Sequence, residues 1–188
     1  MRQNLQVYAG LSIVRFLKGV IYGTLAAVVI APLAQRAFGS GISVSFDGID
    51  DRIQVGQGLF GSVTNTFTVE FWANPTAARA ETVEANTGVT GNTGQQRYAI
   101  FPDQGQQAYG DPNAGAGVSV GTNGISVFEH AGNYLPSLLV HTNSISGWTH
   151  VAVVYSNSQP RLYVNGNLVR TGLVSGRKVH PSANMCPR

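Results

Sequence analysis

The chain has 188 residues, of which 43% are hydrophobic and 11% charged, with 23 glycines and one cysteine. That is enough apolar material to bury the core of one domain, so a disordered chain is excluded; the lone Cys186 excludes an internal disulfide. The net charge of +3 comes from the first 39 residues, where Arg2, Arg15, Lys18 and Arg36 stand without an acid, leaving 8 basic against 9 acidic residues from Ser40 onward; a domain so near neutrality lacks the basic footprint of a nucleic-acid binder.

In chain order, the first element is the uncharged run of 16 residues from Gly19 to Ala34, preceded by Arg15 and Lys18. Charge followed by an apolar helix-length stretch is the pattern of an export signal, and the run is short against the roughly 20 residues that span a bilayer. Pro32 and the small residues of Ala37-Phe38-Gly39 favour cleavage before Ser40, with an uncleaved membrane anchor as the alternative. Residues 1–39 are therefore read as an N-terminal apolar helix, signal peptide or anchor, and the protein as exported to the extracellular space, periplasm or cell envelope.

From Ile42 the apolar pattern turns to period two in short runs, the signature of strands with one face in a core and one in solvent. Strands are expected at 42–46, 52–55, 67–73, 98–101, 118–120, 125–129, 137–140, 150–155, 161–164 and 168–174. Along the third, Phe67, Val69, Phe71 and Ala73 share one face, while Thr68, Glu70 and Trp72 share the other, so Glu70 and Trp72 are expected to look outward. In Val151–Tyr155 both alternating sets are nearly apolar, as in a central strand covered on both sides. Asn165-Gly166 then marks a two-residue type I′ hairpin turn, which needs positive φ at both positions. The polar, small-residue stretches 77–97 and 103–117 read as long surface connections, functional or disordered. Many short strands with turn signals between them imply an all-β fold, a two-sheet antiparallel jelly-roll sandwich.

The blocks VSFDGIDDRIQV (44–55), FTVEFWANP (67–75), GWTHVAVVY (147–155) and LYVNGNLV (162–169), in this order, resemble the bacterial laminin-G-like, concanavalin-A-like jelly-roll domains. RYAIFP (97–102) and GVSVGTNGISVFEH (117–130) are similar to an exported subgroup of them. The resemblance runs from about Ile42 to Ala183 and implies a domain over 40–184 with a tail at 185–188. Such domains include sugar-binding lectins, adhesive modules and glycoside hydrolases, so the fold alone does not choose among them. Nothing after Pro181 matches the family's closing strand, and a truncated copy with an unpaired sheet edge is the expectation.

Asp47, Asp50 and Asp51 crowd three carboxylates into one turn. Hard oxygen ligands in a flexible loop suit a structural Ca²⁺, which the resemblance also implies, while an Asp-Gly turn with solvated acids fits the same residues. Glycoside hydrolysis needs two carboxyl groups placed across the bond; the related hydrolases carry theirs in a Glu-x-Asp run on one strand, which this chain lacks, and Glu81 and Glu84 fall in a loop-like stretch where they would be held loosely. His130, His141, His150 and His180 show no metal spacing, and no Gly-x-Ser-x-Gly elbow is present. Of Trp72, Trp148, Tyr98, Tyr109, Phe128 and Tyr134, most belong in the core, with Tyr109, Tyr134 and Trp72 left as candidates to stack on a ligand. The reading is a non-catalytic exported module binding carbohydrate or a cell-surface protein, through end loops or the concave sheet. A purely adhesive domain or a degraded hydrolase are the alternatives, and membrane contact comes only through an N-terminal anchor. N-terminal sequencing of exported material is expected to begin at Ser40; Met1 or Arg2 as the first residue would remove the cleaved-signal reading.

Overall fold

The computed structural model describes residues 5–8, 44–46, 53–56 and 58–186. Twelve strands, one short α-helix and one 3-10 turn (Thr90–Asn92) appear among them. Strands β1 (Leu5–Tyr8), β2 (Val44–Phe46), β3 (Phe67–Asn74) and β4 (Tyr98–Phe101) precede helix α1 (Gly105–Tyr109). Then come β5 (Asn113–Gly121), β6 (Gly124–His130), β7 (Ser137–His141), β8 (Thr149–Ser156) and β9 (Gln159–Val164). Strands β10 (Asn167–Thr171), β11 (Lys178–Pro181) and β12 (Asn184–Cys186) complete the set.

The strands form two six-membered groups. One sheet runs β10-β9-β8-β3-β1-β2, and the other runs β12-β4-β5-β6-β7 with β11 added in parallel to the first half of β5. All other pairings between these strands are antiparallel, so the expected sandwich is the observed one. Phe71 and Ala73 on β3, Val151, Val153 and Tyr155 on β8 and Leu162 on β9 pack against Ile100, Val118, Val120, Ile125, Val127 and Leu139 of the facing sheet. Trp72, expected outside, is 45% exposed, whereas Phe71 beside it is 2% exposed.

The hairpin between β9 and β10 turns on Asn165 and Gly166, with φ of 50° and 79°. Asn165 Oδ1 also accepts the backbone N–H of His150 at 3.0 Å, tying the turn to the start of β8.

Several sequence boundaries move. Strand β5 begins at Asn113, inside the stretch read as a loop, because all nine of its residues are buried and no polar-apolar alternation can appear. Its glycines answer to close backbone contact: a Cβ on Gly117 would lie 2.5 Å from Pro102, and one on Gly115 2.3 Å from the Asp103 carbonyl. The last predicted strand ends at Thr171, since Leu173 donates its N–H to Leu138 of the facing sheet at 2.8 Å. At 52–55 the described part shows one bridge, Ile53 to Met185, and no longer strand.

The expectation of an unpaired edge after Pro181 is corrected. Strand β12 pairs with β4, Ile53 and Met185 exchange backbone hydrogen bonds of 2.8 and 2.9 Å, and Asn184 Oδ1 accepts the Val55 N–H at 2.8 Å. Backbone pairing needs no apolar alternation, so Asn-Met-Cys carries no strand signal. Strand β12 also crosses the boundary at which a tail was expected.

Strand β1 lies between β2 and β3, upstream of the cleavage point expected from the sequence. The apolar run 19–34 and Ser40 lie outside the described residues. Among the described residues no helix is long and apolar enough to cross a membrane.

Leu162 is fully buried between the sheets. Replacing it with alanine is expected to cost about 2–5 kcal/mol of folding free energy by urea titration, lost transfer energy and a cavity acting together; an unchanged midpoint would show that the sheets do not meet there.

Candidate functional site

Cross-strand partners in an antiparallel sheet share a face, so the register defines what surrounds Trp72 on the outside of the first sheet. Trp72 pairs with His150, and Glu70 with Ala152, which in turn pairs with Tyr163 of β9. Tyr163 pairs with Leu168, and Val154 of the same face pairs with Arg161. The face thus carries an indole, a phenol, an imidazole, a carboxylate and a guanidinium, with the small Ala152 between Glu70 and Tyr163.

The Trp72 and His150 rings lie 5.3 Å apart at a tilt of 54°, and His150 Nε2 is 3.7 Å from Glu70 Oε2. Glu70 keeps 54% of its side chain exposed, so the carboxylate remains available to a ligand hydroxyl. Trp148, two residues before His150, is 38% exposed. An exposed indole edged by hydrogen-bonding groups can stack on an apolar ring face and bond its rim, the arrangement a pyranose requires.

The three aromatic candidates do not converge. Tyr134 donates its hydroxyl to Glu129, as does Tyr155, and Tyr155 is five residues along β8 from His150, roughly 17 Å at the rise of a strand. Tyr134 thus belongs to the end of the sandwich opposite Trp72. One ring face of Tyr134 carries the Arg177 guanidinium, 4.9 Å from its centroid. Tyr109, on α1, stacks on His180 with centroids 3.9 Å apart and planes 12° from parallel, and its hydroxyl accepts the Phe60 N–H at 3.3 Å. His180 is itself buried, with Nε2 2.8 Å from Asn113 Oδ1 and Nδ1 3.2 Å from the Phe60 carbonyl. Burial lowers its pKa, and the Phe60 carbonyl pulls the other way. Tyr109 is therefore a packing residue that holds α1 against β11 and the Phe60 segment.

The outer face of the second sheet is covered. Residues 77–97 form a strap across it: Tyr98 donates its hydroxyl to the Gly91 carbonyl (3.1 Å), Gly91 N–H to Leu135 (2.8 Å), and Ala85 N–H to Ser137 (2.8 Å). Tyr98, Phe128 and Leu135 make a second small core beneath it. Glu84, expected to be held loosely, is held firmly. It takes two hydrogen bonds from Arg170 Nη2, both 3.0 Å, one from Arg170 Nε at 3.2 Å and one from the Val140 N–H at 3.0 Å. The loop-like sequence hid this because the partners come from β7 and β10, far along the chain.

Of the acids, Asp47, Asp50 and Asp51 lie outside the described residues. Asp103 is buried, which raises its pKa, while a hydrogen bond from Asn184 and the nearby His130 lower it. Glu129 is sealed between the sheets. The contributions of Tyr163 and Arg161 were missed in the sequence, although alternation about the buried Leu162 would have placed both outward.

Two packed antiparallel sheets, one with its outer face strapped and one with its outer face open, define a lectin-like jelly-roll sandwich. A model of the concanavalin A-like lectin/glucanases superfamily, of laminin G type, matches residues 47–185, and the chain belongs to that family, whose modules bind carbohydrates or other ligands. Neither curated proteins nor solved structures give a match.

Tyr109→Ala is expected to destabilise the domain by about 2 kcal/mol in urea unfolding, through loss of the ring stack and its buried area. A change within about 0.5 kcal/mol, typical of surface positions, would free Tyr109 for a ligand role.

Proposed function

We propose that this is a non-catalytic, exported carbohydrate-binding module whose ligand lies on the open face of the first sheet, with Trp72 as the stacking platform. The exposed Trp72 indole beside His150 and Glu70 carries this reading. An indole half open to water beside hydrogen-bonding groups offers a stacking surface, and a sugar offers both an apolar face and hydroxyls for the flanking groups. Glu70 and His150 orient the ring by accepting and donating hydrogen bonds, Arg161 extends the polar rim, and Tyr163 supplies a second aromatic surface across β8. Export rests on the N-terminal charge and apolar run.

The non-catalytic reading is supported by the disposition of three of the described acids. Glycoside hydrolysis needs two carboxyl groups across one bond. Glu70 stands on the open face, Glu84 is committed to Arg170, and Glu129 is closed off from solvent.

Glycan-array screening followed by calorimetry is the direct test. Trp72→Ala is expected to weaken binding about tenfold or more with thermal stability nearly unchanged, since the residue stacks on ligand and not on core. Folded wild-type protein that binds no glycan would leave an adhesive, protein-contacting role in its place; release of reducing sugar would restore the hydrolase reading.

A further inference from the structure

Glu129, on β6, is the one carboxyl among the described residues that is completely removed from solvent. It faces the facing sheet and receives hydroxyls from three separate elements. Tyr155 of β8 donates to Oε1 at 3.1 Å, Tyr134 of the β6–β7 turn donates to Oε2 at 3.1 Å, and Ser175 of the β10–β11 connection also donates to Oε2. Ser175 Oγ in turn accepts the Arg177 N–H at 3.0 Å; Arg177 lies over the Tyr134 ring and pairs with Asp111 at 2.8 Å. No cation reaches ion-pair distance of Glu129 among the described residues.

We propose that Glu129 is a proton-operated clasp between the two sheets: the neutral acid holds the Tyr134 turn and the Ser175–Arg177 segment closed over this end of the sandwich, and loss of its proton lets them open.

Two physical effects meet at this group. Three hydroxyl donors converging on two oxygens favour the carboxylate, whereas complete burial without a paired cation favours the neutral acid. Burial dominates, and the hydroxyls of Ser175, Tyr134 and Tyr155 with the charge of Arg177 oppose it, so the group is pushed up to about 7 from an ordinary 4.5. Both tyrosines are themselves raised, by burial first and then by Glu129, so they stay protonated throughout, and in the neutral acid one of the three hydroxyls turns to accept the carboxyl proton. The folded chain holds this proton to higher pH than the unfolded chain. The resulting stabilisation is therefore complete below about 4.5 and is lost as pH rises through about 7.

The groups facing Glu129 are Tyr155 from β8, Tyr134 from the turn, and Ser175 with Arg177 from the β10–β11 connection; Asp111 acts only through Arg177. His180 and Asp103 titrate elsewhere in the fold, and their contributions cancel when wild type is compared with a Glu129 variant. The inference is independent of the ligand proposed for the Trp72 face.

The test joins a carboxyl titration by carbon NMR with native-state hydrogen exchange at the amides of Ala131, Tyr134, Ser175 and Arg177. The Glu129 carboxyl is expected to titrate near neutrality, and the opening constants, corrected for intrinsic exchange, to rise about tenfold or more between about pH 5.5 and about pH 8. In Glu129→Gln, which keeps the shape without the charge, the rise is expected to vanish. Should that variant not fold, Ser175→Ala keeps the carboxyl and removes a donor, which is expected to move the titration midpoint upward. A carboxyl that titrates in the ordinary range, an opening rise that persists in Glu129→Gln, or a midpoint unmoved by Ser175→Ala would each overturn the clasp.

Discussion

The contact of Val151, Val153 and Leu162 with Val118, Val127 and Leu139 across the two sheets is the constraint on which the rest depends. Each side chain so buried contributes about 1.5–3 kcal/mol relative to exposure, and no disulfide shares the task. Because inward residues are set by this contact, their alternate neighbours are forced outward. Trp72, Glu70 and Tyr163 are where they are because Phe71 and Leu162 are inside. The site on the first sheet is in this sense the reverse side of the core.

The two outer faces have opposite fates. The strap of residues 77–97 lies over the second sheet, satisfied by backbone bonds to Leu135 and Ser137 and anchored by Glu84 on Arg170. Exposed aromatic and charged side chains remain on the first. A sandwich with both faces open would offer two comparable surfaces; here the strap removes one and leaves the face at Trp72 as the open one, where the proposed ligand would lie. Glu129 is the fully buried carboxyl among the described residues, held by three hydroxyls drawn from β8, the β6–β7 turn and the β10–β11 connection.

Much of this was legible before any coordinates. Alternation in Phe67–Asn74 placed Trp72 and Glu70 outward correctly, and Asn165-Gly166 marked the hairpin that closes beside His150. The small-residue half of β5 was not legible, because a strand buried on both faces beneath Pro102 and Asp103 shows glycine and alanine instead of alternation. Tyr109 and Tyr134 read as loop aromatics, yet His180 and Arg177 cover a face of each. Those partners lie 71 and 43 positions away in the numbering, beyond the reach of any local pattern.

The amino-acid order by itself determined the all-β class, the strand faces and the hairpin turn, because side-chain alternation and positive-φ propensity are local properties of the chain. Tertiary structure alone decided which face is strapped, that Asn184–Cys186 pairs with β4, and that Glu129 meets Tyr155, Tyr134 and Ser175. These depend on backbone hydrogen bonds and burial between distant segments, and such contacts leave no periodic trace in the sequence.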